Sequence, residues 1–349
     1  MDILVSAEGR LLGSLVDGIP APALVIAQDE RISFANAAAL ALFGGGIVGR
    51  HYIIAMRQPG LLDAIEGTLR HKQKACTRYI VAGPSREIAF QVTVSPVEGN
   101  RALCVFEDVS EQEQVSAMRR DFVANVSHEL RTPLTSLLGF IETLQGAAKD
   151  DAAARDRFLG IMSREAERMN RLVRDLLSLS RVESEERMRP TTPVDMVALV
   201  AVAMAALRPV AAAKGVRLEQ GGQAGPLPVP ADADQMTQVF QNLIENAVKY
   251  GASGGVVHIT VERDDSDALR LGPAVVIRVT DKGDGIDPIH IPRLTERFYR
   301  VDDHRSREMG GTGLGLAIVK HIINRHRGRF RIESAKGQGS TFSVFLPVA

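Results

Sequence analysis

Short apolar runs broken by turns fill the chain from Leu11 to about Val109, and beyond that the period of the apolar positions changes. Residues 23–27 and 31–34 read as strands around the turn Gln28-Asp29-Glu30. Asn36 is placed to cap an alanine-rich helix at 37–43, which the glycines from Gly44 onward stop. Residues 61–71 have a helical period, and 77–81, 87–94 and 101–107 give three further strands between glycine-containing turns. Behind an N-terminal segment 1–11, residues 12–109 therefore predict a compact antiparallel sheet with small helices.

From Glu111 to about Glu186 apolar residues recur three and four apart, the period of helices. A first helix reaching Gln145 carries a seam of Met118, Phe122, Val126, Leu130, Leu134 and Leu137. Pro133 removes an amide donor from this helix and is expected to bend it. Gly146 and Lys149-Asp150-Asp151 turn the chain. A second helix then presents Phe158, Ile161, Met162, Met169, Leu172, Val173, Leu176, Leu177 and Leu179 as a buried stripe. One such hairpin has more apolar surface than it can enclose. Two copies closing an antiparallel four-helix bundle would bury it, so residues 110–187 are expected to form a homodimer. The alternative is a monomeric hairpin packed against the C-terminal domain.

A linker at 187–193 leads into an α/β unit that completes residues 188–349. Its predicted elements are a helix at 194–207, a strand at 216–219, and a polar, glycine- and proline-rich interruption at 221–230. A helix capped by Asp234 follows to about Tyr250, then strands at 256–263 and 274–281. A helix at 314–325 and strands at 329–334 and 340–346 finish the sheet. The irregular stretch before the last helix reads as a lid over a ligand.

Charge narrows the function. Forty-two basic and 42 acidic side chains cancel, which gives no general electrostatic reason to bind nucleic acid. The pair Cys76 and Cys104 argues against a disulfide scaffold and reads as free thiols. His51 and His71 are isolated and read as surface residues. Asp2 and Glu8 precede the first basic residue, Arg10, unlike a secretory signal. The most apolar stretch, from Met196 to Leu207, is followed by Arg208-Pro209 and reads as a buried helix too short to span a bilayer. The expectation is a soluble, cytoplasmic protein, with a membrane-associated signalling partner or an upstream membrane segment left open.

The chemistry concentrates in five motifs. In Ser127-His128-Glu129-Leu130-Arg131-Thr132-Pro133-Leu134, an imidazole and a hydroxyl share one helical face with a carboxylate beside the ring. A solvated histidine with an acid placed to hold its proton is equipped as a nucleophile. In the C-terminal unit, Asn242 and Asn246 project from one face of a helix, where their oxygens suit a hard cation such as Mg²⁺, and Lys249 can approach phosphate oxygens. Asp281-Lys282-Gly283-Asp284-Gly285-Ile286 follows a strand. Its first carboxylate can accept an adenine amino proton, and its glycines permit a tight turn near a nucleotide. Glu296-Arg297-Phe298-Tyr299-Arg300 sets aromatic rings beside charges that could anchor a lid. Gly310-Gly311-Thr312-Gly313-Leu314-Gly315-Leu316 opens a helix whose N-terminus favours phosphate. This loop has neither the dinucleotide-binding glycine spacing nor the lysine and hydroxyl of a P-loop.

In this order the motifs resemble the H, N, G1, F and G2 boxes of the bacterial sensor histidine kinases of two-component systems, over about residues 111–349. Residues 12–109, with Asn36 and the direct run into a helix, resemble a PAS sensor domain. The resemblance implies a multidomain α+β protein: a PAS-like mixed α/β sensor, a helical-hairpin dimerisation domain and a C-terminal Bergerat-type α/β sandwich binding ATP and Mg²⁺. It implies that His128 attacks the γ-phosphate while Glu129 orients the ring and takes the proton of its other nitrogen. Asn242 and Asn246 would hold the metal, Lys249 and Tyr250 would contact the phosphate side, and Asp281 would take the adenine, with Gly283 and Gly285 in its loop. Gly311, Thr312, Gly313, Leu314 and Gly315 would form the phosphate-proximal loop. The phosphoryl group would pass to an aspartate of a separate response regulator, and Thr132 would help dephosphorylate that partner. The architecture further resembles the phosphate-regulon sensor kinases. A nucleotide-binding signalling scaffold and a His128-independent ATPase are the competing readings.

Overall fold

The computed structural model describes residues 7–83, 87–185, 188–266, 272–301 and 311–348, and the chain divides into two compact units, Met1–Ala124 and Asn125–Ala349. In the first unit, β1 (Ala23–Ile26), β2 (Ile32–Ala35), β3 (Ala75–Ala82), β4 (Glu87–Val97) and β5 (Arg101–Asp108) form an antiparallel sheet ordered β2-β1-β5-β4-β3. Strand alternation sends Leu24, Ile26, Val92, Val94 and Phe106 to one core, shared with Leu61 and Ile65 of helix α4 (Pro59–His71). Ala23 and Val25 point the other way, into a smaller cluster with Val16 of α1 (Ala7–Asp17). Helix α1 lies where the sequence reads as an uninformative segment, and the single turn α3 (Tyr52–Ala55) is also unforeseen.

Asn36 caps α2 (Ala37–Phe43) by accepting the Ala39 amide at 2.9 Å, and it also accepts the Ala23 amide at 3.0 Å. Its own amide donates to the carbonyls of Ile19 and Ala21. A side chain 2% exposed is thereby satisfied on both its oxygen and its nitrogen.

Helix α5 (Ser110–Gln145) continues through Pro133, and α6 (Ala152–Glu185) returns beside it, with Phe140 and Phe158 stacked 5.2 Å apart. The expected apolar stripes are only partly covered. On α6, Leu172, Leu179 and Val182 are buried, while Leu159, Val173 and Leu177 are exposed. On α5, Met118, Leu134, Leu138 and Ile141 are exposed as well. The covered end of α6 packs against α9 (Gly315–Arg325), so part of the stripe serves the C-terminal domain of the same chain.

That domain is a five-stranded sheet ordered β11-β12-β10-β9-β7, antiparallel except where β7 (Arg217–Gly222) runs parallel to β9 (Val256–Asp264). Strands β10 (Ala274–Asp281), β12 (Gly339–Pro347) and β11 (Arg329–Ala335) complete it. Helices α8 (Ala233–Tyr250) and α9 pack on one another, and α8 packs on β9 and β10. Helix α8 buries Met236, Val239, Phe240, Leu243, Ile244, Ala247 and Val248, an amphipathic stripe. Asn242, Glu245 and Asn246 therefore stand outside the core on a rigid helix.

Three expectations are corrected. Helix α7 (Met196–Ala213) does not stop at Leu207 but passes through Arg208-Pro209. Pro209 and Ala205, whose carbonyl the proline leaves unpaired, are both exposed, so water can serve that carbonyl. At 18 residues, α7 is long and apolar enough to cross a membrane by length and composition. One stripe of it, including Val200, Ala203, Met204 and Leu207, is buried, and the helix packs against α8. The cap of α8 is Asp232, which accepts the Gln235 amide at 3.1 Å, whereas Asp234 lies in the first turn, where its charge favours the helix dipole. Within the glycine- and proline-rich interruption, β8 (Pro228–Pro230) pairs with β6 (Pro193–Asp195) in a two-stranded ribbon that tolerates missing amide donors.

His326, 1% exposed, joins these parts: its Nδ1 lies 2.7 Å from the Ile322 carbonyl, and its Nε2 accepts the Asp232 amide at 3.0 Å. This is the neutral ring protonated on Nδ1. Burial pushes its pKa below the ordinary 6.5. The unfolded chain then takes up a proton that the folded chain refuses, so stability is full above about 6.5 and falls as pH drops below it. Urea midpoints measured from pH 7.5 down to 5.5 should decline, and His326→Gln should flatten that decline.

Candidate active site

His128 is exposed on α5, with its ring open to an incoming group. Thr132, one turn on, donates its hydroxyl to the His128 carbonyl at 3.1 Å, an i−4 back-bond that orients the Thr132 side chain along the helix. Glu129 points into the domain. Its Oε2 accepts from Arg168 of α6 at 2.6 Å and from Arg300 at 3.2 Å. The Arg300 side chain is only 4% exposed, and its buried Nε has no hydrogen-bond partner. A carboxylate shared by two guanidiniums at these depths is fixed in direction.

Arg300 belongs to a segment locked to the glycine loop. Phe298 takes a positive φ of 64° and donates its amide to the Gly313 carbonyl at 2.9 Å. Gly313, itself at φ 73°, lies so close that a Cβ on it would sit 2.8 Å from the Phe298 Cα. Tyr299 is held by the His290 ring nitrogen at 2.7 Å, and the Arg293 guanidinium lies over its ring. The motif Glu296–Arg300 thus meets the glycine loop through the Phe298 backbone, whereas its contact of aromatic ring with charge, Tyr299 with Arg293, lies within the preceding segment. Residues 302–310 of the expected lid, Gly310 included, lie outside the described residues.

The glycine loop is also tied to α6. Thr312 donates its hydroxyl to Asp175 at 2.7 Å, and the same oxygen accepts the Leu314 amide at 3.3 Å. Burial pushes the Asp175 carboxyl above its ordinary range, against the lowering by the Thr312 hydrogen bond. Arg297 pairs with Glu183, and Ser178 donates to Gln238 at 2.8 Å. Arg168 and Asp175 escaped the sequence reading, and Arg300, read there as part of a lid anchor, was not expected to meet Glu129. Arg168 and Asp175 are two turns apart on one face of α6, a polar spacing beside the apolar stripe, and Arg300 directly follows the aromatic pair.

Deeper in the domain, Asp281 is 4% exposed at the end of β10, and its Oδ1 accepts the Gly283 amide at 2.9 Å. Burial pushes its pKa up, opposed by the amides of Gly283 and Ser340. The end of α8 closes on it. A Cβ on Gly251 would sit 2.4 Å from the Asp281 Cβ, and one on Gly283 would sit 2.4 Å from the Tyr250 carbonyl oxygen. Gly285, at φ 66°, would place a Cβ 2.0 Å from the Ala335 oxygen, so glycine is required there. Asn242 reaches the N-terminus of α9, donating to the Gly315 carbonyl at 3.5 Å, with Asn246 half-buried one turn further along α8. Lys249 pairs with Glu245 at 3.2 Å, and Tyr250 is 42% exposed.

These residues fit a magnesium nucleotide. A buried acceptor suits an amino group, two carboxamides suit a hard cation, and α9 begins without a side-chain cap, leaving its first amides for anionic oxygens.

Two family models match the chain. "His Kinase A (phospho-acceptor) domain" covers residues 118–185, and "Histidine kinase-, DNA gyrase B-, and HSP90-like ATPase" covers residues 231–349. The chain is 42% identical over 251 residues to the phosphate regulon sensor protein PhoR of Pseudomonas aeruginosa, covering 71% of this chain and 55% of that protein. It is 35% identical over 348 residues to the sensor protein kinase WalK of Staphylococcus epidermidis, covering 98% of this chain and 55% of that protein. Against WalK of Staphylococcus saprophyticus the identity is 41% over 245 residues, covering 70% of this chain and 39% of that protein. The chain thus spans about half the length of the curated relatives it matches. Among solved structures, a histidine kinase ThkA in complex with response regulator protein TrrA shares the fold, with a TM-score of 0.52 and 20% identity over 96% of this chain and 98% of that one.

The Glu129–Arg300 pair is measurable. Unfolding of Glu129→Gln, Arg300→Gln and the double variant should give a coupling of about 1–3 kcal/mol. Strictly additive losses would mean that the pair does not tie the hairpin to the loop.

Proposed function

We propose, from the premise that this chain belongs to the two-component sensor histidine kinases, that His128 is its phosphoacceptor and that it passes the phosphoryl group to a separate partner. One observation carries the reading: the exposed His128 is next in sequence to a carboxylate that is ion-paired to Arg300 of the ATPase-type domain. ATP would be held by Asp281, Asn242, Asn246, Lys249, Tyr250 and the loop from Gly311 to Gly315, with Mg²⁺ on the two asparagines neutralising phosphate charge. A ring nitrogen of His128 forms the new N–P bond as the bond from the γ-phosphorus to its bridging oxygen breaks, and ADP leaves. Once released from Arg168 and Arg300, Glu129 would take the proton from the other ring nitrogen. Phosphoryl transfer asks chiefly for positioning and charge neutralisation, which fixed guanidiniums and helix amides provide.

The acceptor is an aspartate on a response regulator, and Thr132 positions the water that later dephosphorylates it. The apolar residues left exposed on α5 and α6 support closure of a four-helix bundle by a second copy of the chain. Residues 12–109, with a five-stranded antiparallel sheet flanked by helices, serve as a PAS-like sensor module. A need for ATP supports a cytoplasmic location for the catalytic part. The PhoR and WalK likenesses are of similar strength, so a role in phosphate regulation rests on the PhoR likeness alone.

The test is a chase. Chain labelled from γ-labelled ATP is mixed with a receiver domain, and the label should move to an aspartyl phosphate as the histidine label disappears. Label that leaves only as inorganic phosphate at a rate independent of the receiver's aspartate would favour a simple ATPase. Two variants refine the roles. Glu129→Ala should preserve ATP binding and slow labelling at saturating ATP by about 10²-fold or more. Thr132→Ala should reduce partner dephosphorylation more than labelling, and equal losses would point to helix damage.

A further inference from the structure

Away from the nucleotide-binding residues, a groove of about 770 Å³ runs between the turn Ile291–Arg293, the outer side of α9 and strand β11. Its charged residues are Lys320, Arg327, Arg329 and Arg331, and no carboxylate lines it. Arg331 pairs with Glu333 at 2.9 Å, and Lys320 donates to the Thr295 hydroxyl at 3.5 Å. Among the described residues, no ion pair engages Lys320, Arg327 or Arg329, so the groove carries an excess of positive charge in a chain whose net charge is zero.

The position of the groove matters as much as its charge. β11 is the edge of its sheet, hydrogen-bonded on one side only, to β12. Five consecutive residues, 328 to 332, line the groove, and successive strand residues point to opposite faces. A groove touched by both sets follows the strand's free edge rather than either face. Toward the far end of β11 that edge is occupied: the Ile286 amide donates to Ser334, and Gly285 abuts Ala335. Over the first part, among the described residues, no hydrogen bond reaches it.

Cations on an edge strand commonly serve to repel other edges. Here they surround a concave site with an apolar component from Ile291, Phe330 and Ile332, which a purely repulsive device does not need.

We propose that this groove is a docking site for an acidic, extended segment of a partner protein, which adds as a strand to the free edge of β11. Main-chain hydrogen bonds to β11 would supply the alignment, alternate apolar side chains would meet Ile291, Phe330 and Ile332, and the carboxylates would meet the four cations. A span of four strand residues, Arg329 to Ile332, is about 13 Å, enough to read a short motif. Because Ile291 and Thr295 form one wall, an occupant would touch the segment that leads to Tyr299 and Arg300.

The test needs no phosphoryl transfer. A fluorescent eight-residue peptide alternating glutamate and valine is titrated into the full chain, alongside the same peptide N-methylated at alternate residues. The plain peptide should bind with a salt-dependent affinity. Binding should fall at least tenfold on N-methylation and at least tenfold in the triple variant Lys320→Glu, Arg327→Glu, Arg329→Glu. These side chains are exposed, so the variant should keep the melting temperature and basal ATP-dependent labelling of the parent. No binding by 100 µM peptide, or binding indifferent to N-methylation, would overturn strand addition. Equal competition by a single-stranded oligonucleotide or by anionic vesicles would overturn a protein segment as the occupant.

Discussion

The position of the candidate chemistry depends on one carboxylate. Glu129 lies next in sequence to an exposed histidine, yet its side chain is held by Arg168 of the returning helix and by Arg300 of the segment that meets the glycine loop. Burying three such groups is costly unless their hydrogen bonds are made, and removing one partner leaves the others uncompensated. The pair therefore fixes direction more than it adds net stability. Through Phe298 and Gly313 the same geometry reaches the glycine loop, and through Thr312 and Asp175 it returns to α6. Hairpin and nucleotide face are joined by a closed circuit of polar contacts, and the histidine sits at its edge.

The apolar side of the hairpin is used in two ways. Its last turns on α6 pack against α9, so Leu172, Leu179 and Val182 are lost from view. The rest of the stripe remains open, with Leu177 60% and Leu159 50% exposed, more than a solvated surface would favour. A single helix thus divides its hydrophobic surface between contact with its own ATPase-type domain and a face left exposed. Arg325 reinforces the first, bridging Glu185 at the end of α6 and Asp232 at the cap of α8.

What the sequence made legible was mostly periodicity and glycine. The hairpin, the central strands β9 and β10, the Asn36 cap and the glycine motifs all follow from local spacing, and each reappears in the fold. Three kinds of feature stayed hidden. Helix α7 was cut short because Arg208-Pro209 looks like a stop, and only tertiary exposure explains why a proline is harmless there. Strand β8 was masked by its prolines, which an edge ribbon tolerates. Arg168 and Asp175, and the partner of Arg300, were missed because a charged residue on a helix or loop gives no sign, locally, of the distant group it will meet. The Glu129–Arg300 contact spans 171 positions of the chain. Gly251 was overlooked for the same reason, since only the approach of Asp281 makes its missing Cβ necessary.

The proposal that His128 receives the phosphoryl group has a direct measurement. The intact chain and His128→Gln are incubated with γ-labelled ATP and Mg²⁺, and the protein-bound label is assayed for stability in acid and base. The account predicts an acid-labile, base-stable label on the parent and none on His128→Gln, with nucleotide binding equal in both. A label that survives the substitution, or that is acid-stable, would contradict it.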